Sequence, residues 1–206
     1  MNYNKYKVIL IGDSGIGKTT IMNSYLKKNN INPVATIGTE YVNIKFSKYN
    51  QDLQIWDCAG QEKFRSLVKL YYREAKACIF TFDLTRKKTL DSINNYWIKN
   101  VKDNADENCV FLLVGNKSDL EKNTNYNLIN DLCKKYNMEY VETSAIKNIN
   151  VTNIFSNISD ILYAKYILNK KNNYIYDLTY NQNILTINDE ETNNKDKFNR
   201  YIYSYC

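Results

Sequence analysis

Histidine is missing altogether from the 206 residues, and proline occurs once, at Pro33. A chain without imidazole has no histidine to serve as general base, nucleophile or metal ligand. Cysteine is sparse and irregular. Cys58, Cys78, Cys109, Cys133 and Cys206 form no C-x₂-C pair of the kind that binds zinc or runs disulfide exchange. Cys78 and Cys109 lie in apolar runs and are expected to be buried free thiols of a reducing compartment. No apolar run is long enough to span a membrane. Residues 1–11 lack the apolar core of a signal peptide. The expectation is a cytoplasmic protein, or one held at a membrane by something other than a helix. Net charge is +6, and from Lys170 onward five basic and five acidic side chains cancel, so the surplus lies in residues 1–169. It is not gathered into an Arg-rich, aromatic-interleaved stretch, which disfavours a nucleic-acid reader.

What is present is a globular composition, 44% apolar, in which short apolar runs alternate with longer helix-like stretches. Residues 5–11, 41–46, 53–56, 77–82, 109–114 and 139–142 read as strands. Helices are expected over 17–28, 64–74, 91–103, 126–136 and 150–168. The runs at 77–82 and 109–114 are apolar throughout, as strands covered on both faces are. Such alternation predicts an α/β domain with a mostly parallel, six-stranded sheet and helices on both faces. Segments 41–46 and 53–56 are too close for a crossover helix and should form an antiparallel edge hairpin. Residues 1–168 are expected to form one domain. The Asn-rich remainder, 169–206, reads as a flexible tail, with a weak extra strand at 174–180 as the alternative.

Glycine is scarce enough to be informative. The six are Gly12, Gly15, Gly17, Gly38, Gly60 and Gly115, and each is expected in a loop beside a strand. The first three belong to GDSGIGKT (12–19), a G-x-x-x-x-G-K-[ST] motif between a strand and a helix. In that setting the loop amides from Ser14, Gly15, Ile16 and Gly17 through Lys18, Thr19 and Thr20 face phosphate oxygens at a helix N-terminus. Lys18 reaches the β- and γ-phosphates, and Thr19 offers its hydroxyl to Mg²⁺. WDCAG (56–60) adds D-x-x-G about 40 residues later, with Asp57 placed for Mg²⁺ and the Gly60 amide for the γ-phosphate. VGNKSDL (114–120) adds N-K-x-D after a strand. The Asp119 carboxylate can accept the two adjacent donors of guanine, which adenine lacks. Asn116 can bridge base and loop, and the Lys117 stem can cover the ring. ETSA (142–145) supplies Ser144 and the Ala145 amide for the guanine carbonyl.

In this order the motifs resemble the Ras superfamily of small GTPases, over about residues 4–168, and the Rab family in particular. TIGTEY (36–41), LQIWDCAGQEKFRSLV (53–68), YYREA (71–75) and FTFDLT (80–85) carry the Rab likeness. The resemblance implies a P-loop G domain that binds GTP or GDP with Mg²⁺, hydrolyses GTP slowly and acts as a switch in vesicle traffic. It implies that Thr36 binds Mg²⁺ and senses the γ-phosphate, and that Gln61 orients the attacking water. It assigns Ile37, Gly38, Tyr41, Trp56 and Tyr71 to effector contact, with a core role for Trp56 as the compatible alternative. The partners it implies are an exchange factor, an activating protein, effectors and a GDP-dissociation-inhibitor-type chaperone, for a monomer cycling onto the cytosolic face of endomembranes. Two competing readings are a GTP-bound scaffold with negligible turnover and an ATP-using P-loop kinase. Gln61, Thr36 and Lys18 weigh against the first, and Asp119 against the second.

The departures from the family pattern carry expectations of their own. Cys58 stands where threonine is usual, Glu74 where glycine is usual, and Ile146 where lysine is usual. No aromatic occurs between Lys27 and Thr36, which predicts faster nucleotide release than a typical Rab shows. The sequence closes Ser204-Tyr205-Cys206 where Rabs usually carry two prenylated cysteines. Cys206 is expected to carry one geranylgeranyl chain, a marginal and reversible anchor, with an unmodified thiol as the alternative.

Overall fold

The computed structural model describes residues 3–27, 39–60 and 70–188, with side chains described as far as Lys170. Six strands form one sheet in the order β2-β3-β1-β4-β5-β6. They are β1 (Asn4–Ile11), β2 (Thr39–Phe46), β3 (Gln51–Cys58), β4 (Ala77–Asp83), β5 (Val110–Asn116) and β6 (Glu139–Glu142). Only the β2–β3 pair is antiparallel, with Tyr41 opposite Trp56 and Val42 opposite Ile55; β1–β3, β1–β4, β4–β5 and β5–β6 are parallel. A 3₁₀ turn at Ser47–Tyr49 and the left-handed Asn50 (φ 52°) reverse the chain between β2 and β3, giving the expected edge hairpin. The apolar runs behave as their patterns require. Every residue of β4 is buried, whereas β2 alternates along its length as an edge strand does.

Helices cover both faces. Helix α1 (Lys18–Tyr25) starts at Gly17, whose φ of 94° is a left-handed value. Helix α2 runs as Lys87–Ser92, a π-helical turn Ile93–Trp97 and Ile98–Asn104. Helix α3 (Tyr126–Tyr136) is capped at both ends. The Asn125 side chain accepts from the Leu128 N–H, Asn137 takes the left-handed terminal position, and Lys134 and Lys135 occupy the last turn. Helix α4 is Val151–Asn188. On one face Ile9, Ile11, Phe80, Phe82 and Leu113 pack against Trp97, Val101, Ile129 and Leu132. On the other, Val8, Leu10, Ile79 and Val114 pack against Ile21, Met22, Ile154, Phe155 and Ile158.

Two expectations need correction, on Gly115 and Cys109. Residues 169–188 of the expected tail are helical rather than the alternative strand at 174–180, and 189–206 lie outside the described residues. The chain divides into two compact units between Tyr163 and Ala164. Gly115 lies within β5 rather than in a loop. A Cβ there would stand 2.7 Å from the Tyr140 hydroxyl, so close packing rather than a turn requires glycine. Cys109 is half-buried, although Cys78 is buried as expected, and both are free thiols. Of the helix expected over 64–74, residues 64–69 lie outside the described part and 70–72 are helical.

Candidate functional site

In a parallel sheet, ligands gather beyond the carboxyl ends of the strands where the strand order reverses. Here that point is β1, flanked by β3 and β4, and the loop that follows it is GDSGIGKT. Gly12, Gly15 and Gly17 have φ of 142°, 70° and 94°, which point successive loop amides inward. At two of these positions there is no room for a side chain. A Cβ on Gly12 would lie 2.1 Å from the Thr81 carbonyl oxygen, and one on Gly17 would lie 2.4 Å from Asn116 Nδ2.

The Lys18 side chain arches back over this loop, and its Nζ donates to the Gly12 carbonyl at 2.9 Å and the Asp13 carbonyl at 2.8 Å. Burial lowers the Lys18 pKa, while the negative charges of Asp57 and Asp13 act in the opposite direction. Thr19, beside it, donates its hydroxyl to Asp57 Oδ2. Asp57 is fully buried at the end of β3, and its Oδ1 accepts no hydrogen bond among the described residues. Burial pushes its pKa up to about 6, against the opposing hydrogen bond from Thr19 and the charge of Lys18. A buried carboxylate oxygen without a donor, beside a hydroxyl already turned toward its partner oxygen, fits a hard divalent cation such as Mg²⁺. Gly60 packs directly on the loop. A Cβ there would be 2.5 Å from the Gly12 and Asp13 carbonyl oxygens.

Asn116, at the end of β5, joins the phosphate loop to the loop after β6. Its Nδ2 donates to the Ile16 carbonyl at 2.8 Å, and its Oδ1 accepts from the Ala145 N–H at 3.1 Å. Lys117 holds a left-handed φ of 68° and extends its Nζ to the Gly15 carbonyl at 2.9 Å and to Asp83 Oδ2 at 2.7 Å. The Ser144 hydroxyl donates to Asp119 Oδ1 and accepts from the Lys147 N–H. Between these elements lies a pocket lined by Gly17, Thr20, Asn116, Lys117, Asp119, Leu120, Ala145 and Ile146. It has the lining expected of a purine site, with Ile146 as one wall.

The described members of the expected effector set also come together. The ring centroids of Tyr41 and Trp56 are 5.0 Å apart, and those of Trp56 and Tyr71 are 5.5 Å apart. Tyr41 is 43% exposed and Trp56 is half-buried, so the cluster is open on one side while its inner edge packs on the core. Lys7 sits over the Trp56 ring and donates to the Arg73 carbonyl. Thr36, Ile37, Gly38, Gln61 and Cys206 lie outside the described residues, as does the segment between Lys27 and Thr39 that lacks an aromatic.

Asp83 is absent from the expected site residues, although it lies in the FTFDLT segment. Its buried carboxylate accepts from the Thr85 N–H and hydroxyl, from Arg86 Nε at 2.8 Å and from Lys117 Nζ. Burial alone would raise its pKa, but the hydrogen bonds from Lys117, Thr85 and Arg86 prevail and hold it below the ordinary value. Through Lys117 and through Arg86, which reaches the Ser14 carbonyl, Asp83 steadies the phosphate loop from behind.

The fold and this site define a nucleotide-binding P-loop domain of the G-domain class, and the Ras family model matches residues 7–164. The chain belongs to the Ras family. It is 34% identical to the Ras-related protein YPTC6 of Chlamydomonas reinhardtii over 171 residues, covering 81% of this chain and 78% of that protein. It is 32% identical to the Ras-related protein Rab-5B of Plasmodium falciparum over 170 residues, covering 79% and 80%. It is 35% identical to the Ras-related protein rab-11.1 of Caenorhabditis elegans over 170 residues, covering 80% of each. It is thus a small GTPase of the Rab type.

Proposed function

We propose that this chain is a guanine-nucleotide switch that binds GTP and GDP with Mg²⁺, hydrolyses GTP slowly and works in vesicle traffic. The observation that carries the reading is Asn116, whose one side chain ties the phosphate loop to the loop that bears Ser144 and Ala145. Base recognition and phosphate binding are thereby joined in one rigid unit. Asp119 accepts the two guanine donors, the Ala145 amide meets the carbonyl oxygen, and Lys117 covers the ring. The loop amides from Ser14 to Thr20 and the Lys18 ammonium bind the phosphates.

Thr19 and Asp57, with Thr36, would hold Mg²⁺, which when bound offsets phosphate charge. Thr36 and the Gly60 amide sense the γ-phosphate, and Gln61 orients the water. Phosphoryl transfer in such sites depends on positioning and charge stabilisation, so an activating protein that supplies an arginine raises the rate by about 10³–10⁵. Loss of the γ-phosphate releases the loops that carry Thr36 and Gly60, and effectors read that change through Ile37, Gly38, Tyr41, Trp56 and Tyr71. An exchange factor resets the cycle, and a GDP-dissociation-inhibitor-type chaperone carries the monomer between cytosol and endomembrane, where a prenyl group on Cys206 anchors it. No helix among the described residues is long and apolar enough to cross a membrane.

The test is single-turnover hydrolysis of GTP by the purified chain with Mg²⁺, together with competition against bound GDP. Slow phosphate release and displacement by GTP but not ATP are expected. Tight GTP binding without turnover, even with activating proteins, would leave only the scaffold reading. Equal displacement by ATP would overturn the guanine assignment.

A further inference from the structure

The phosphate loop contains an acidic residue, Asp13, where a polyphosphate is to bind. Its carboxylate bears on the same place electrostatically, since Asp13 is among the negative groups that favour the charged form of the buried Lys18 ammonium. A carboxylate left to turn toward the phosphates would oppose them. It is instead held from behind. Trp97 Nε1 donates to Asp13 Oδ1 at 2.8 Å, and the indole is fully buried. An indole nitrogen only donates, and a bond to a carboxylate is charge-assisted. The backbone of the same residue is fixed as well, because its carbonyl accepts from Lys18 Nζ and packs against Gly60. Trp97 closes the π-helical turn Ile93–Trp97, a local widening of a kind frequent at functional sites.

We propose that Trp97 is a positioning residue for the polyphosphate site, its indole N–H holding the Asp13 carboxylate behind the phosphate loop and away from the bound anion. The inference rests on the GTP-site reading above. It makes the strength of phosphate binding depend on a helix outside the nucleotide-binding motifs.

The experiment measures dissociation constants for GDP and for a non-hydrolysable GTP analogue, with Mg²⁺, in the full chain. Trp97→Phe keeps an aromatic ring and removes the donor. It is expected to weaken the triphosphate about tenfold and GDP about threefold, because the longer ligand carries more negative charge. Adding Asp13→Asn to Trp97→Phe removes the offending charge and is expected to restore both constants to within about twofold of the parent. Equal losses for the two nucleotides, no loss, or no rescue by Asp13→Asn would overturn the proposal, since a purely structural tryptophan gives those results. If Trp97→Phe does not fold, benzothienylalanine at position 97, which has sulfur in place of the N–H, is read by the same criteria. Failure of the unmodified protein to bind either nucleotide would overturn the site reading itself and this inference with it.

Discussion

Replacing Glu74 by glycine is expected to stabilise the protein. Glu74 holds φ at 63°. Of the seven non-glycine residues with positive φ among the described ones, four are asparagine, whose short amide tolerates that region; glutamate has no such accommodation. An L-residue in the left-handed region costs about 1–2 kcal/mol. Glycine removes that strain but surrenders about 0.5–1 kcal/mol of extra chain entropy on folding. The glutamate charge contributes little, because the Arg73–Glu74 pair is 3.8 Å apart with both side chains at least 80% exposed, and its attraction for Lys7 is lost equally in the alanine control. The balance is a gain of about 0.5–1 kcal/mol, or about 1–4 °C in melting temperature for a chain of this size. Thermal unfolding at fixed, saturating GDP is the assay, since bound ligand adds its own stability. Glu74→Ala supplies the control. It removes the charge yet keeps a Cβ in the left-handed region, so it should lie within about 0.5 kcal/mol of the parent. A glycine variant no more stable than the alanine variant would refute the strain argument.

Three further outcomes are expected. Asn116→Ala removes two buried hydrogen bonds between loops, to Ile16 and Ala145, and should weaken GDP binding about 100-fold; a change under about threefold would contradict the proposed bridging role. Ser159→Ala strips the buried Gln51 Oε1 of its 2.6 Å donor and should cost about 1–3 kcal/mol in urea unfolding, whereas pairing it with Gln51→Leu should recover most of that loss, because Gln51 Nε2 has no partner among the described residues. Asp83 has a folded pKa below its ordinary 3.8, so its stabilisation is complete above pH 3.8 and is lost as pH falls through the lower folded value. Asp83→Asn should therefore destabilise the protein near neutrality, by about 1–3 kcal/mol for the charge-assisted hydrogen bonds it weakens, with the gap to the parent narrowing below pH 3.8 in acid-unfolding curves.

Local pattern made the sheet readable. Continuous apolar runs and one alternating edge segment place all six strands to within about two residues, because burial on both faces leaves no polar positions in the run. Helix α2 begins four residues before the expected 91, at Lys87. Its N-cap Arg86 makes no side-chain cap bond, and Thr89 turns its hydroxyl onto the Arg86 and Asp83 carbonyls instead, so no capping signature marks the start. Helix α4 runs on because nothing interrupts it; Pro33 and all six glycines precede residue 116. The asparagines between 169 and 188 suggest looseness but lower helix propensity only modestly. In the site, motif spacing places Lys18, Asp57, Asn116, Lys117, Asp119 and Ala145 together. Pairings across long separations stay hidden from any local window, as with Trp97 and Asp13, 84 positions apart, or the convergence of Lys117 and Arg86 on Asp83.

The chain has two tryptophans, and the fold places them at different posts. Trp97 lies in the interior against a carboxylate of the phosphate loop, while Trp56 sits half-buried between two tyrosines at the open aromatic cluster. The native protein therefore carries two internal fluorophores without any added label. Emission from the first should follow events at the loop, and emission from the second should follow coverage of the aromatic face. Single-tryptophan versions, with phenylalanine at the other position, would separate the two signals: the version that keeps Trp97 follows nucleotide exchange, and the version that keeps Trp56, held at saturating nucleotide to offset the weaker binding expected of Trp97→Phe, follows partner docking.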